Sequence, residues 1–183
     1  MDLEHQRLPE KNRLPLDIDD SRLLAKSGES DVWDVNANYV RDSLLNWVDL
    51  GSGGGSPAFP LKIVRPAATL RLIETRSRKA AFLREVAREL EFSDVEVVNE
   101  RFEESSTRPE FREAADLITV RAVRIDTPQA EATQRLLRAN GQLMLFSSRR
   151  PANRLEIAGL TEILSARLIP HGNSHLVIFK RTQ

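Results

Sequence analysis

The chain has 183 residues, of which 40% are hydrophobic and 30% charged, a composition ordinary for a soluble globular domain with one core. Its 27 basic and 27 acidic residues leave no net charge, so the molecule as a whole exerts no overall attraction on nucleic acid. Cysteine is absent, which excludes disulfides, cysteine-ligated zinc, iron–sulfur clusters and thiolate nucleophiles. The three histidines do not have the spacing of metal ligands, and we expect no metal site.

The first 30 residues are polar and irregular, and we expect them to form an amino-terminal extension ahead of a domain over residues 31–183. Short helices are predicted over residues 19–26 and 34–46. No apolar run approaches the roughly 20 residues of a membrane span. The first residues also lack the apolar centre of a secretory signal. These features predict a cytoplasmic protein with no membrane partner.

The rest of the chain alternates predicted strands with predicted helices. Helices are expected over residues 57–64, 77–90 and 127–139, with Ser77 and Thr127 as N-caps and Asn140–Gly141 as the exit of the last one. Strands are expected over residues 47–50, 69–74, 95–98, 116–120, 142–147, 166–170 and 175–181. A tight turn joins the last two strands. The pattern predicts an α/β fold with a mostly parallel sheet, covered on both faces, and one antiparallel strand near the carboxyl end.

Four glycines occupy five positions directly after the first predicted strand, in the sequence GSGGG over residues 51–55. Such a loop needs positive φ angles or lets a ligand approach its backbone. In an open α/β sheet, this position at the carboxyl end of a strand is where ligands bind. A nucleoside-triphosphate loop needs Lys followed by Ser or Thr, where this chain has Ser56-Pro57. A dinucleotide fingerprint needs a glycine in place of Ser56.

S-adenosylmethionine is the third ligand considered for this loop. It carries no phosphate, but it needs close backbone approach to its methionine part and an acid for its ribose hydroxyls. Asp49 beside the loop and Glu74 at the end of the second strand supply carboxylates, and a helix cap or a surface acid is the alternative role for Glu74. The sequence DLGSG with a downstream acid resembles the first two motifs of the Rossmann-like methyltransferases.

Further segments make the resemblance more specific. They are VDLGSGGGSPAFPL over residues 48–61, RKAAFL over 78–83, RFEE over 101–104, and Arg121-Ala122. Together they resemble the glucose-inhibited division protein B family, the small-subunit ribosomal RNA guanine-N7 methyltransferases. The chain departs from the family at SPAFP over residues 56–60, and where the family tends to have a lysine after the fifth strand. We expect Arg149 or Arg150 to take the place of that lysine.

The resemblance implies a Rossmann-like class I methyltransferase with a seven-stranded sheet and S-adenosyl-L-methionine as its cofactor. It implies 16S ribosomal RNA as substrate, within a small-subunit particle, and a protein acting as a monomer. The expected cofactor-binding residues are Asp49, Gly51, Ser52, Gly53, Gly55, Glu74, Thr75, Phe102, Glu103 and Arg121. The expected RNA-binding residues are Arg76, Arg78, Lys79, Arg124, Arg149 and Arg150.

Arg121 is the expected catalytic residue, because its planar fork suits guanine O6 or a phosphate. A structural ion pair with Asp116 or Asp126 is the alternative role for Arg121. Guanine N7 carries a lone pair and no proton, so its methylation needs no general base, and alignment can remove roughly 7–11 kcal/mol of the barrier. Two other functions remain open: a methyltransferase acting on a small molecule or protein, and a catalytically silent RNA-binding assembly module.

Overall fold

The computed structural model describes residues 45–123, 125–148, 157, 159–169 and 172–182. All of them belong to one unit, Tyr39–Gln183. The predicted helix over residues 19–26 and most of that over 34–46 lie outside the described residues, as do Arg124, Arg149 and Arg150. Asn46, the predicted end of the second helix, is instead the first residue of a strand. None of the described helices is long and apolar enough to cross a membrane.

Seven strands form a single sheet with the order β3-β2-β1-β4-β5-β7-β6. The strands are β1 (Asn46–Leu50), β2 (Thr69–Ile73), β3 (Val95–Val98), β4 (Ala115–Arg121), β5 (Leu137–Ser147), β6 (Leu160–Arg167) and β7 (His175–Arg181). Strand β7 runs antiparallel to both of its neighbours, and the other neighbouring pairs are parallel. The predicted fold class is confirmed, with β7 as the antiparallel strand.

In the described part of the chain, four α-helices connect the strands: α1 (Ala58–Val64), α2 (Ser77–Glu89), α3 (Phe102–Ser105) and α4 (Thr127–Leu136), and a short 3-10 helix (Pro109–Phe111) precedes β4. Both predicted N-caps were wrong by one residue, because Arg76 and Asp126 occupy the cap positions with extended backbones. At α2 the N–H of Arg76 donates to Glu74 Oε1 at 2.8 Å. A carboxylate from the preceding strand end therefore bonds a backbone group at this helix start, where a Ser77 cap was expected.

The start of β5 also differs from the sequence prediction. Helix α4 passes directly into β5 at Leu137, so Asn140–Gly141 lies inside the strand and the predicted helix exit there was wrong. The β4–β5 register shifts at this point, and a Cβ on Gly141 would lie 2.9 Å from the carbonyl oxygen of Ala115. The glycine permits close approach of two backbones at an irregularity in the ladder.

Strand β6 begins at Leu160, six residues before the predicted start at residue 166. It lies at the edge of the sheet and pairs only with β7 among the described strands. Its residues alternate between partly buried and exposed, and none is fully buried. A strand of this kind has few apolar residues in a regular pattern, which explains why the sequence prediction missed its first six residues.

Alternation along β1 shows that the sheet is buried on both faces. Val48 and Leu50 belong to a core cluster that includes residues of α3 and α4, whereas Trp47 belongs to a second cluster with residues of α1 and α2. The helices therefore cover the two faces, and the loops at the carboxyl ends of β1, β2 and β4 come together at one end of the sheet.

Candidate active site

The glycine loop after β1 is anchored to the end of β2. The N–H groups of Gly51 and Ser52 both donate to the carbonyl of Ile73, at 2.9 and 3.2 Å. Gly51 has φ +68° and Gly55 has φ +81°. An added Cβ would overlap Val123 at Gly51 and the ring of Phe59 at Gly55. These two glycines are required by the packing of the chain against itself.

Gly53 and Gly54 differ, because their surroundings are open. Gly53 has φ +58°, yet the nearest atoms to an added Cβ are 3.7 and 3.8 Å away. No atom of the described residues lies within 4 Å of a Cβ at Gly54. The loop therefore presents a short stretch of backbone without side chains, which a ligand can approach closely.

Glu74 follows β2 and organises the space beside this backbone. It is only 5% exposed, and its two oxygens accept N–H bonds from Gly53 and Arg76, each at 2.8 Å. A carboxylate has about four acceptor positions, so each oxygen retains capacity for a further donor. The Asn99 amide donates to the carbonyls of Glu74 and Thr75 at 2.8 and 3.0 Å, which ties this turn to the end of β3. Glu74 and Thr75 are thus held next to the open glycines.

Asp49 lies in β1 and is 2% exposed. The Thr119 hydroxyl donates to its Oδ1, and the Trp47 indole N–H donates to the Thr119 oxygen at 2.8 Å. Ser52 donates to the Asp49 backbone carbonyl at 3.0 Å. Burial raises the pKa of Asp49 to about 6, against the opposing effects of the Thr119 and Ser52 hydroxyls and the charge of Arg121. A carboxyl with a raised pKa therefore lies two residues before the glycine loop.

Arg121 ends β4 on the same side of the sheet. Its Nη1 donates to Ser56 Oγ at 3.0 Å, which draws the guanidinium across the glycine loop. Asp116, one of the two acids considered as its partner, pairs with Arg138 instead. In the described part of the chain, Arg121 forms no ion pair with Asp126 or with another acid. Most of its N–H donors therefore remain available to a ligand.

Helix α3 follows β3 at the carboxyl end of the same sheet. The Phe102 ring is buried in the core, so a ligand can contact this residue only through its backbone. The first N–H groups of a helix have no intrahelical acceptor, and α3 has no side-chain cap. The side chain of Glu103 accepts a bond from Gln129 Nε2 at 2.6 Å, which links α3 to α4. Phe102 and Glu103 thus offer backbone donors.

The predicted RNA-binding cations are in part close to this site. Arg76, Arg78 and Lys79 are exposed at the start of α2, where the first turn holds no acid. Lys79 Nζ lies 3.8 Å from the position of a Cβ on Gly53, so one of these cations reaches the glycine loop. None of the three has an ion pair with another described residue. Cations at a helix amino terminus oppose the helix dipole, which favours an anionic partner.

Sequence reasoning missed Trp47, Ser56, Asn99 and Thr119 as site residues. Thr119 had a weak signal, a polar residue between the apolar Ile118 and Val120. Asn99 had another, since it directly follows β3 at the ligand-binding end of the sheet. Their partners lie 24 to 72 residues away in sequence, so their contacts depend on strand register and could not be predicted from local pattern.

Curated relatives give the first comparison with known proteins. Ribosomal RNA small subunit methyltransferase G from Chloroflexus aggregans is 39% identical over 113 residues, which are 62% of this chain and 48% of the relative. The enzyme of the same name from Streptococcus agalactiae is 31% identical over 139 residues, 76% of this chain and 59% of the relative. The chain spans about half the length of the curated relatives it matches.

Solved structures and a family model give the second comparison. A SAM-dependent methyltransferase from Aquifex aeolicus superposes with a TM-score of 0.59 at 15% identity, covering 77% of this chain and 85% of that one. A putative methyltransferase from Escherichia coli gives 0.59 at 15% identity, covering 84% and 90%. These likenesses confirm the methyltransferase fold. The model of the GidB family, described as rRNA small subunit methyltransferase G, matches residues 31–167. The chain therefore belongs to the rRNA small subunit methyltransferase G family.

Proposed function

We propose that this protein uses S-adenosylmethionine to methylate N7 of a guanine in 16S ribosomal RNA. One observation carries the proposal: the open backbone of Gly53 and Gly54, the buried carboxylate of Glu74 and the guanidinium of Arg121 lie at the carboxyl end of the sheet, and Arg121 has no ion pair among the described residues. The family match over residues 31–167 supports it. We assign the methyltransferase domain to residues 31–183 and the extension to residues 1–30.

The donor set fits an adenosyl amino acid. Open glycine backbone permits close approach of the ligand, and Glu74 keeps acceptor capacity for ribose hydroxyls beside Thr75. Ser52 lies in the loop and Asp49 two residues before it, where the methionine part would bind. The backbone of Phe102 and Glu103 would border the adenine. The full proposed set is Asp49, Gly51, Ser52, Gly53, Gly55, Glu74, Thr75, Phe102, Glu103 and Arg121.

The mechanism is one of positioning. When bound, S-adenosylmethionine supplies an electrophilic methyl group on its sulfonium. Arg121 is held by Ser56 at 3.0 Å, so its remaining donors can hold guanine O6 or a phosphate and orient the base. No residue needs to remove a proton, because N7 has none. Arg121 and the glycine loop would hold the guanine and the cofactor in alignment, which lowers the barrier because less translational and rotational entropy is lost in the transition state.

The RNA would bind over the cations that surround the site. Arg76, Arg78 and Lys79 form the α2 part of this surface. Arg124, Arg149 and Arg150 belong to it on the sequence prediction alone. We further propose that the RNA substrate is part of a small-subunit particle in the cytoplasm. The protein would act as a monomer, and its mechanism would need no metal ion. Among the described residues, no group of three or more His, Asp or Glu side chains is arranged to hold a metal ion.

The test uses the full chain, methyl-labelled S-adenosylmethionine and small ribosomal subunits that lack the modification. We expect label on N7 of a guanine in 16S RNA. Arg121→Ala is expected to slow transfer by about 100-fold, in line with loss of an oriented charged donor, and to weaken cofactor binding by a smaller factor. Arg138→Ala is the matched control, because its partner Asp116 lies at the other end of the sheet.

Label on a protein or small molecule would favour the second function considered from the sequence. Tight cofactor binding without transfer to any RNA would favour a silent assembly module. Either result would overturn the proposed substrate, and equal activity of the Arg121 variant would overturn the role of that residue.

A further inference from the structure

A buried chain of polar groups runs from Trp47 through Thr119 to Asp49. All three side chains are at most 2% exposed. Asp49 and Thr119 are direct cross-strand partners in the β1–β4 pair, and Trp47 lies two residues before Asp49 on the same face of β1. The contacts therefore follow from the register of two central strands. They require no movable loop.

The direction of the hydrogen bonds is fixed by chemistry. An indole N–H can only donate, so the 2.8 Å contact from Trp47 Nε1 makes the Thr119 oxygen an acceptor. The single hydroxyl proton of Thr119 is then left for Asp49 Oδ1. Trp47 occupies one of the two acceptor positions of the Thr119 oxygen, and among the described residues Asp49 Oδ1 is the acceptor of the hydroxyl proton. This arrangement stabilises the ionised form of Asp49.

The surroundings of Asp49 make such support necessary. Leu72 of β2 lies opposite it in the sheet, Thr119 and Arg121 face it from β4, and Ser52 faces it from the glycine loop. Among the described residues Arg121 is the charged group that acts on it, and it forms no ion pair with Asp49. Burial raises the pKa of Asp49 to about 6, so without its hydrogen bonds the carboxyl would be protonated at higher pH still.

We propose that Trp47 and Thr119 are positioning residues that hold Asp49 as an oriented carboxylate for the cationic amino group of the cofactor. The role toward the cofactor rests on the proposed function. The hydrogen-bond chain itself does not, because it exists in the protein without ligand. The two parts can therefore be tested separately.

The first test follows the indole Nε1–H resonance of Trp47 by nitrogen-15 NMR as pH is varied, without cofactor. Trp33→Phe leaves Trp47 as the one tryptophan of the chain. In the Trp33→Phe protein we expect the chemical shift of this resonance to titrate with a midpoint near pH 6. Thr119→Val should raise the midpoint by about one pH unit, because a hydrogen bond to the charged form of Asp49 is lost, and Thr119→Ser should restore the original midpoint. Thr133→Val is the matched control, since that buried hydroxyl bonds the Gln129 carbonyl on α4.

A resonance that does not titrate between pH 4 and 8, or equal midpoints in the Thr119→Val variant and its parent, would overturn the hydrogen-bond chain. If Thr119→Val does not fold, the test passes to Trp47→Phe. That variant frees the hydroxyl, and the titration of Asp49, followed without cofactor by the carbon-13 resonance of its carboxyl carbon, should move toward higher pH.

The second test measures S-adenosylmethionine affinity by calorimetry at pH 7.5. We expect Thr119→Val to weaken binding about tenfold and Thr119→Ser to remain within about twofold of the parent. Shifted NMR midpoints with unchanged affinities would overturn the role toward the cofactor. A parent protein that binds no S-adenosylmethionine would instead refute the proposed function, while the NMR titration would still decide the hydrogen-bond chain.

Discussion

The two ends of the sheet use their charged residues differently. At the amino end of the parallel strands, Asp116 pairs with Arg138 and accepts the Asn46 N–H at 2.8 Å, and Glu113 pairs with Arg181 at 2.7 Å. At the carboxyl end, Arg121 bonds the neutral hydroxyl of Ser56, and Lys79 has no ion-pair partner within the described ranges.

Lys62 is a buried cation that differs in the same way from the cations at the carboxyl end of the sheet. It lies near the amino end of β2, where its ammonium donates to the carbonyls of Pro66 and Ala68 at 2.7 and 2.5 Å. Burial lowers the pKa of Lys62, and the charge of Asp94 opposes this effect. A buried cation at the amino end is thus satisfied by the chain itself. Cations at the carboxyl end are left for a ligand, although the net charge of the whole chain is zero.

The largest effect is expected inside the glycine loop, where the roles of neighbouring glycines can be separated. Gly55→Ala combines a strained φ of +81° with overlap against Phe59, and we expect it to lower the free energy of unfolding by about 4 kcal/mol. The side chain added by Gly54→Ala would lie in open space, so this variant should change the free energy of unfolding by less than about 0.5 kcal/mol. Urea denaturation measures both. Equal destabilisation by the two variants would contradict the division of the loop into packing and ligand-facing glycines.

Asp49→Asn tests whether the buried carboxylate at the carboxyl end of the sheet lowers the stability of the fold. The folded protein raises the pKa of Asp49 from 3.8 to about 6, so the folded state binds the proton more tightly and this contribution to stability falls as pH rises between these values. A neutral amide should therefore increase the free energy of unfolding by up to about 3 kcal/mol at pH 7.5. The gain should nearly vanish at pH 4, and cofactor affinity should fall. Denaturation at both pH values checks the sign, and a variant less stable at pH 7.5 would refute it.

The smallest effect concerns the cations of α2. Lys79→Ala should weaken RNA-particle binding a few-fold and reduce the slope of log affinity against log salt by about one. Arg88→Ala is the matched control at the other end of the same helix, where Arg88 is paired with Glu85 and Glu89. Filter binding at several salt concentrations measures the slopes. Equal slopes for the two variants would remove α2 from the RNA surface.

The sequence predicts best the features that depend on neighbouring residues. It placed the glycine loop, Glu74 and Arg121 at the carboxyl ends of strands, and the structure has them there, because each strand has a clear apolar pattern. The alternation of strands and helices was likewise sufficient for a mostly parallel sheet with β7 reversed. Each of these features depends on local pattern and on general rules of α/β topology.

The failures depend on contacts between distant segments. Gly141 was expected to end a helix, but it lies in β5 because the backbone of Ala115 passes close to it. Ser77 was expected to cap α2, but Glu74 bonds the N–H of the preceding residue instead. Thr119 was not identified because its role comes from register with Asp49, 70 residues away. Pairing of this kind is fixed by the assembled sheet, and no local pattern encodes it.

Calorimetry with two matched acid-to-amide variants tests the central claim, that the carboxyl end of the sheet binds S-adenosylmethionine. Glu74→Gln directs an amide group at the N–H of Gly53 or Arg76, and Glu113→Gln makes a similar change at the amino end. The parent should bind one cofactor per chain, Glu74→Gln should bind at least about tenfold more weakly, and Glu113→Gln should equal the parent. A parent that does not bind, or a Glu74 variant that binds as tightly as the Glu113 variant, would contradict the account.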